Sequence, residues 1–154
     1  MIKFSKKIEY ALGTLQYLGM FRGISFSARE LSENLNIPYE FLSKTLAQLA
    51  KSDILISNFG TKGGYQLAKE PKEIRISAIF KALNEPLSVV ECVSGDESIC
   101  ERSNICLIKT PMQQLQEKIT NLIGSITLEE LINLSVLKND INNNVQQNEV
   151  KYAK

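Results

Sequence analysis

The chain has 154 residues, 44% of them hydrophobic and 23% charged, with a formal net charge of +1. That size and mixture suit one globular domain with an appended element, and they exclude a global basic charge as a source of affinity for nucleic acid. Histidine is absent altogether, which removes the commonest general base, the Ser-His and Cys-His nucleophile pairs and every imidazole metal ligand.

The chain opens Met1-Ile2-Lys3-Phe4-Ser5-Lys6-Lys7, which lacks the apolar stretch of a secretory signal, so a cytoplasmic protein is expected. Ile8, Leu12, Leu15 and Leu18 recur at helical spacing and predict a first helix over about 5–20, broken by Gly23. Ser27-Ala28-Arg29-Glu30 reads as a capping box that opens a short helix carrying Ala28, Leu31 and Leu35. Asn36-Ile37-Pro38 marks a turn, and Pro38 suits the first turn of a third helix with Leu42, Leu46 and Leu49 on one side. Two short helices joined by a tight turn predict a helix-turn-helix. Ile54-Leu55-Ile56 then reads as a strand, 58–64 as a turn-rich loop, and Tyr65-Gln66-Leu67-Ala68 as the returning strand. A hairpin in that position is a wing.

Pro71 precedes another short helix, expected near 77–84 and ended by Pro86. From Leu87 to Ile108 no periodicity is visible. After Pro111, Leu115, Ile119, Leu122 and Ile126 return at helical spacing and predict a long amphipathic helix, followed by a short one over about 128–134. Beyond Lys138 the composition turns to Asn, Gln and charge, as in a disordered tail. No run is long and apolar enough to cross a membrane. The expected fold is mainly α: a winged helix-turn-helix with a small β-hairpin wing, plus a long helix suited to dimerisation. Its parts are a DNA-binding domain over 1–85, a cysteine-containing loop over 86–108, a dimerisation and C-terminal helical segment over 109–137, and a polar tail over 138–154.

If the Leu42/Leu46/Leu49 side of the third helix faces the core, its opposite side offers Tyr39, Glu40, Ser43, Lys44, Ala47 and Gln48. Short polar side chains and glutamine on such a face can reach base edges in a major groove. Lys62 at the wing tip and Lys3, Lys6 and Lys7 near the first helix suit phosphate or minor-groove contact. Each lysine taken singly reads as ordinary solvated surface; the ordered set of elements favours double-stranded DNA as the partner. Residues 1–70 carry nine Lys/Arg against six Asp/Glu, and 71–154 carry nine against eleven, so the first half is the more positive. No phosphate-binding glycine motif and no paired catalytic carboxylates stand in a recognisable frame, so an enzyme is not expected.

The three cysteines, Cys92, Cys100 and Cys106, are separated by seven and five residues in the aperiodic stretch. That spacing is neither a ferredoxin pattern nor a zinc knuckle. Single cysteines are often small core hydrophobes, but flanking Ser, Asp, Glu and Asn fit a core poorly. A disulfide switch between Cys100 and Cys106 is one open reading. A metal-independent regulator acting through a partner protein is another.

Glu9-Tyr10-Ala11-Leu12, the wing sequence Gly63-Gly64-Tyr65-x-Leu67-Ala68 and Glu91-Cys92-Val93 together resemble the Rrf-two family of bacterial transcription regulators, of the IscR, NsrR and RirA kind, over about residues 1–132. The resemblance implies a winged-helix homodimer whose long helix crosses to its partner, and an iron–sulfur cluster held by Cys92, Cys100 and Cys106. Of the two common types it implies four-iron four-sulfur in preference to two-iron two-sulfur. Some members add a histidine just after the third cysteine; the corresponding position here is near Lys109, which cannot ligate while protonated. Others complete the site with a carboxylate from the first helix of the other subunit, and Glu9 stands in that position. Many members carry arginine before the first wing glycine where this chain has Phe59, which shifts any minor-groove role to Lys62.

Overall fold

The computed structural model describes residues 4–58, 60, 63–85, 87 and 105–134. Helix α1 (Lys6–Met20) starts where Ser5 caps it, its side chain accepting a hydrogen bond from the Ile8 amide. Ile8, Ala11, Thr14, Leu15 and Leu18 are buried along one face, while Leu12 is half-buried against the same core. Thr14 is the polar member of this stripe, and its hydroxyl donates to the Tyr10 carbonyl one turn back at 2.7 Å. That local bond removes the cost of burying an unpaired hydroxyl.

The predicted capping box forms. Ser27 accepts from the Glu30 amide, and the Glu30 carboxylate accepts from the Ser27 amide at 2.7 Å, so α2 (Ala28–Leu35) starts with two of its orphan amides satisfied. It ends at Asn36, which takes the left-handed conformation at φ 51°. Pro38 then stands one position before α3 (Tyr39–Lys51) rather than within its first turn. Leu42, Leu46 and Leu49 are fully buried, as their spacing predicts.

Asp53, at φ 55°, turns the chain into strand β1 (Leu55–Asn58), which pairs antiparallel with β2 (Gly64–Leu67) in the register Leu55–Leu67, Ile56–Gln66, Ser57–Tyr65 and Asn58–Gly64. Both strands sit within one or two residues of their expected positions. Phe26 adds a short third rung: it exchanges two backbone hydrogen bonds with Tyr65, at 3.1 and 2.7 Å. The two wing glycines are required by space. A Cβ on Gly64 would lie 2.6 Å from the Phe26 carbonyl, and one on Gly63 would lie 2.5 Å from the Asn58 carbonyl oxygen.

After a 3-10 turn (Pro71–Glu73), α4 (Ile76–Ala82) begins one residue before its expected start and ends two before its expected end, with Asn84 left-handed at φ 53°. Helix α5 (Lys109–Ser125) starts ahead of Pro111, which lies in the first turn, where a missing amide hydrogen breaks no helical bond. A final helix, α6, runs over 128–134. It opens with a second reciprocal cap, between Thr127 and Glu130. Leu128 is fully buried, and Gln16 of α1 donates to the Leu131 carbonyl at 2.9 Å, so α6 closes the core around α1. Among the described residues no helix is long and apolar enough to cross a membrane.

Of the expected apolar stripe of α5, Ile126 packs against this core just after the helix ends, and the leucines do not. Leu115 and Leu122 are 40% and 65% exposed, and no residue of α5 is buried. Helices α4 and α6 already complete the interior. They leave α5 in contact with the body through Ile123 and the close pass of Gly124 along Ser77.

Candidate nucleic-acid interface

Helix α3 is held by its buried leucines and by Thr45, whose hydroxyl donates to the Phe41 carbonyl. On its outer side Tyr39, Glu40, Lys44 and Ala47 are exposed, and Ser43 and Gln48 are half-buried. Glu40, Ser43, Lys44, Ala47 and Gln48 thus lie away from the core leucines, while Tyr39 is in line with Leu42 and Leu46 and is exposed at the start of the helix. The Ser43 hydroxyl donates weakly to the Glu40 carbonyl at 3.3 Å, a bond readily exchanged for another acceptor.

Tyr10, from the first motif, packs edge-on against Phe41 with ring centroids 5.5 Å apart, tying α1 to the base of α3. Beside this contact a cleft of about 710 Å³ runs along the flank of α3, lined by Lys7, Glu40, Phe41, Lys44, Thr45, Ala47, Gln48 and Lys51. Lys51 was not singled out in the sequence. It stands seven residues after Lys44 and so extends the positive row along the same side.

The N-terminal lysines divide by environment. The Lys7 ammonium turns inward, donates to the Leu83 carbonyl at 2.7 Å and stands 3.9 Å from the Glu85 carboxylate. In the single chain Lys7 is therefore an intramolecular clasp at the exit of α4. Lys6 stays on the surface and pairs with Glu9 at 2.5 Å; the hydrogen bond and the charge of that carboxylate raise the Lys6 pKa above its ordinary value. Lys3, Phe59 and the wing-tip residue Lys62 lie outside the described residues.

Of the predicted metal ligands, Cys92 and Cys100 also lie outside the described residues. Cys106 is a free, half-buried thiol three residues before α5. Glu9 is on α1 with its carboxylate 40% exposed and bound to Lys6. Among the described residues no group of three potential ligands converges on one point.

A capped helix, a tight turn, a second helix with a polar outer face and a glycine-dependent hairpin behind it define a winged-helix DNA-binding protein. The sequence pattern of the Rrf-two family, described as "Iron-dependent Transcriptional regulator", matches residues 4–134, and the chain belongs to that family. Its members are transcription regulators, not enzymes. An HTH-type transcriptional regulator of Aquifex aeolicus is 30% identical over 132 residues, covering 85% of this chain and 92% of the relative. The regulator IscR of Pectobacterium atrosepticum is 33% identical over 104 residues, 68% of this chain; the match spans 62% of IscR's own length. Among solved structures, CymR, the global cysteine regulator of B. subtilis, shares the fold with a TM-score of 0.71 at 24% identity, over 87% of this chain and 98% of that one. The IscR of T. potens does so with a TM-score of 0.68 at 23% identity, over 86% and 88%.

Proposed function

We propose that this regulator binds its operator as a homodimer, reads the major groove with α3, and has its DNA affinity set by an iron–sulfur cluster. The observation that carries the reading is the unbroken family match across 4–134, which takes in all three cysteines of a chain that has no histidine. The donor set fits such a group chemically. Cys92, Cys100 and Cys106 supply three thiolates, the preferred ligands of iron–sulfur iron, and the partner subunit's Glu9 supplies a carboxylate for the remaining position. The described members of the set are accessible: the Cys106 thiol is unbonded, and the Glu9 carboxylate is held only by a surface lysine. When bound, such a cluster supplies iron that responds to iron supply, oxidants or nitric oxide.

The chain's own contacts support a link between the cysteine stretch and the reading helix. Lys7 holds the Leu83 carbonyl, and Gln116 of α5 donates to the Leu87 carbonyl, so the chain is gripped at the entrance to the cysteine segment. Lys7 also lines the cleft along α3. Ile108, just before α5, and Leu115 and Leu122 on it recur every seven residues, with Met112 and Ile119 between them. This is the seam spacing of paired helices, and its leucines face solvent in the single chain. Pairing of two α5 helices would fix the separation of two α3 helices, and a coupling of about 1–3 kcal/mol would change operator affinity roughly 5- to 150-fold.

Anaerobic reconstitution followed by absorption spectroscopy, iron and sulfide analysis and operator titration tests this reading. The expected result is bound iron and sulfide, lost when any of the three cysteines is replaced by serine, and unequal operator affinity of the apo and holo forms. Glu9→Ala should alter the spectrum or shorten its lifetime. A protein free of iron and sulfide after reconstitution removes the cluster. Thiol counting before and after peroxide would then show whether Cys100 and Cys106 form a disulfide instead.

A further inference from the structure

Arg29 is the second residue of α2, and its side chain is exposed. Its guanidinium carbon stands 5.7 Å from the centroid of the Tyr39 ring, and Tyr39 is the first residue of α3. The nearby acids leave this cation unclaimed. Glu30 is committed to the cap of α2 through the Ser27 amide, and Glu33, one turn further along α2, forms no ion pair with Arg29 among the described residues. Lys6 pairs with Glu9, Lys7 with Glu85 and Arg22 with Glu70, whereas Arg29, like Lys44 and Lys51 on α3, forms no ion pair among the described residues.

Two physical facts give this arrangement a direction. A guanidinium attracted to the face of a ring makes no hydrogen bond to it, so its N–H donors stay free for a bidentate acceptor such as a phosphate. In a helix-turn-helix the first helix crosses the sugar–phosphate backbone while the second enters the groove with its N-terminal residues leading. A cation on the first helix, braced by the leading residue of the second, therefore sits at the seam between backbone and groove. We infer that Arg29, held by the Tyr39 ring, is a phosphate clamp that sets how α3 seats in the groove, and that Tyr39 serves as its platform rather than as a reader of bases.

The inference rests on α3 being the reading helix, and the test separates the two. A duplex selected from a randomised library by the full-length wild-type protein, and a mixed-sequence duplex of equal length, are titrated by fluorescence anisotropy between 50 and 200 mM salt. Arg29→Ala should weaken binding to both duplexes by the same factor, about tenfold, leaving their affinity ratio unchanged. It should also make the salt dependence shallower by about one unit of slope. Arg29→Lys should recover the slope but only part of the affinity. Tyr39→Phe, which keeps the ring, should retain the wild-type salt slope, and Tyr39→Ala should mimic part of the Arg29→Ala loss. An unchanged slope in Arg29→Ala overturns the clamp, as does a loss confined to the selected duplex, which would make Arg29 a base reader. If Arg29→Ala binds normally while Lys44→Ala and Gln48→Ala lose the selected duplex, α3 remains the reader and the clamp alone is wrong. If the wild-type protein selects no duplex, the reader assignment itself falls.

Discussion

Replacing Gly64 by alanine adds one methyl group, and the structure sets what that costs. The new Cβ would stand 2.6 Å from both the carbon and the oxygen of the Phe26 carbonyl and 2.9 Å from the Ser27 amide nitrogen, all of them backbone atoms. Side chains can rotate away from such a clash, whereas these atoms belong to the rung that joins the wing to the start of α2. Relief to a tolerable 3.4 Å separation requires a shift of roughly 0.8 Å. That would stretch the Phe26–Tyr65 hydrogen bonds, now 3.1 and 2.7 Å, to or beyond the limit of useful geometry. Losing two such bonds at about 1 kcal/mol each, with some strain remaining, gives an expected destabilisation of about 2–3 kcal/mol. Gly13→Ala is the matched control. Nothing lies within 4 Å of its added Cβ, and its place inside α1 favours alanine by up to about 1 kcal/mol. Urea unfolding of both variants, followed by circular dichroism, measures the pair. Equal midpoints for Gly64→Ala and wild type would refute the claim that this glycine is required by close backbone approach.

The α2 capping box makes stability depend on pH in a defined direction. Hydrogen bonds from the Ser27 amide and hydroxyl hold the Glu30 carboxyl below its ordinary value of 4.5, so its contribution is present above that value and fades as pH falls through the lowered one. In Glu30→Gln the corresponding part of the acid-side stability loss should disappear, as seen in denaturant midpoints taken between neutral pH and pH 3. Ser27→Ala should cost about 1 kcal/mol at neutral pH in the same assay, through the loss of its side-chain acceptor. Leu115→Glu combined with Leu122→Glu should leave the helical spectrum of the protein intact, because both side chains face solvent in the single chain. The same variant should elute as a monomer in size-exclusion chromatography with light scattering, against the dimer proposed for the wild type. Leu46→Ala, by contrast, empties a fully buried position and should cost about 3–5 kcal/mol in urea.

Helix α3 was visible in the sequence because its information is local. Leucines at 42, 46 and 49 oppose Glu40, Lys44 and Ala47 by helical periodicity alone, and burial follows that division; Tyr39 is in line with Leu42 and Leu46 and is exposed because it is the first residue of the helix. The Ser27–Glu30 cap formed for the same reason, since both partners lie within one turn. Residues such as Lys7 and Arg29 carried no comparable signal. A lysine near a helix start looks equally suited to a phosphate or to a carbonyl, and only the position of Leu83, seventy-six residues away, settles which it meets. Tyr39 and Arg29 are ten residues apart, and the angle set by the intervening turn brings ring and cation together.

The periodic spacing of apolar side chains and the turn residues between them determined the order of helices and hairpin, since each is an interaction between near neighbours. Tertiary packing decided why two successive glycines stand in the wing, where backbone passes too closely to admit a Cβ. It also decided which amphipathic helix stays outside the core. Periodicity says that α5 has an apolar face, but only the packing, in which α4 and α6 supply core residues, shows that Leu115 and Leu122 face solvent.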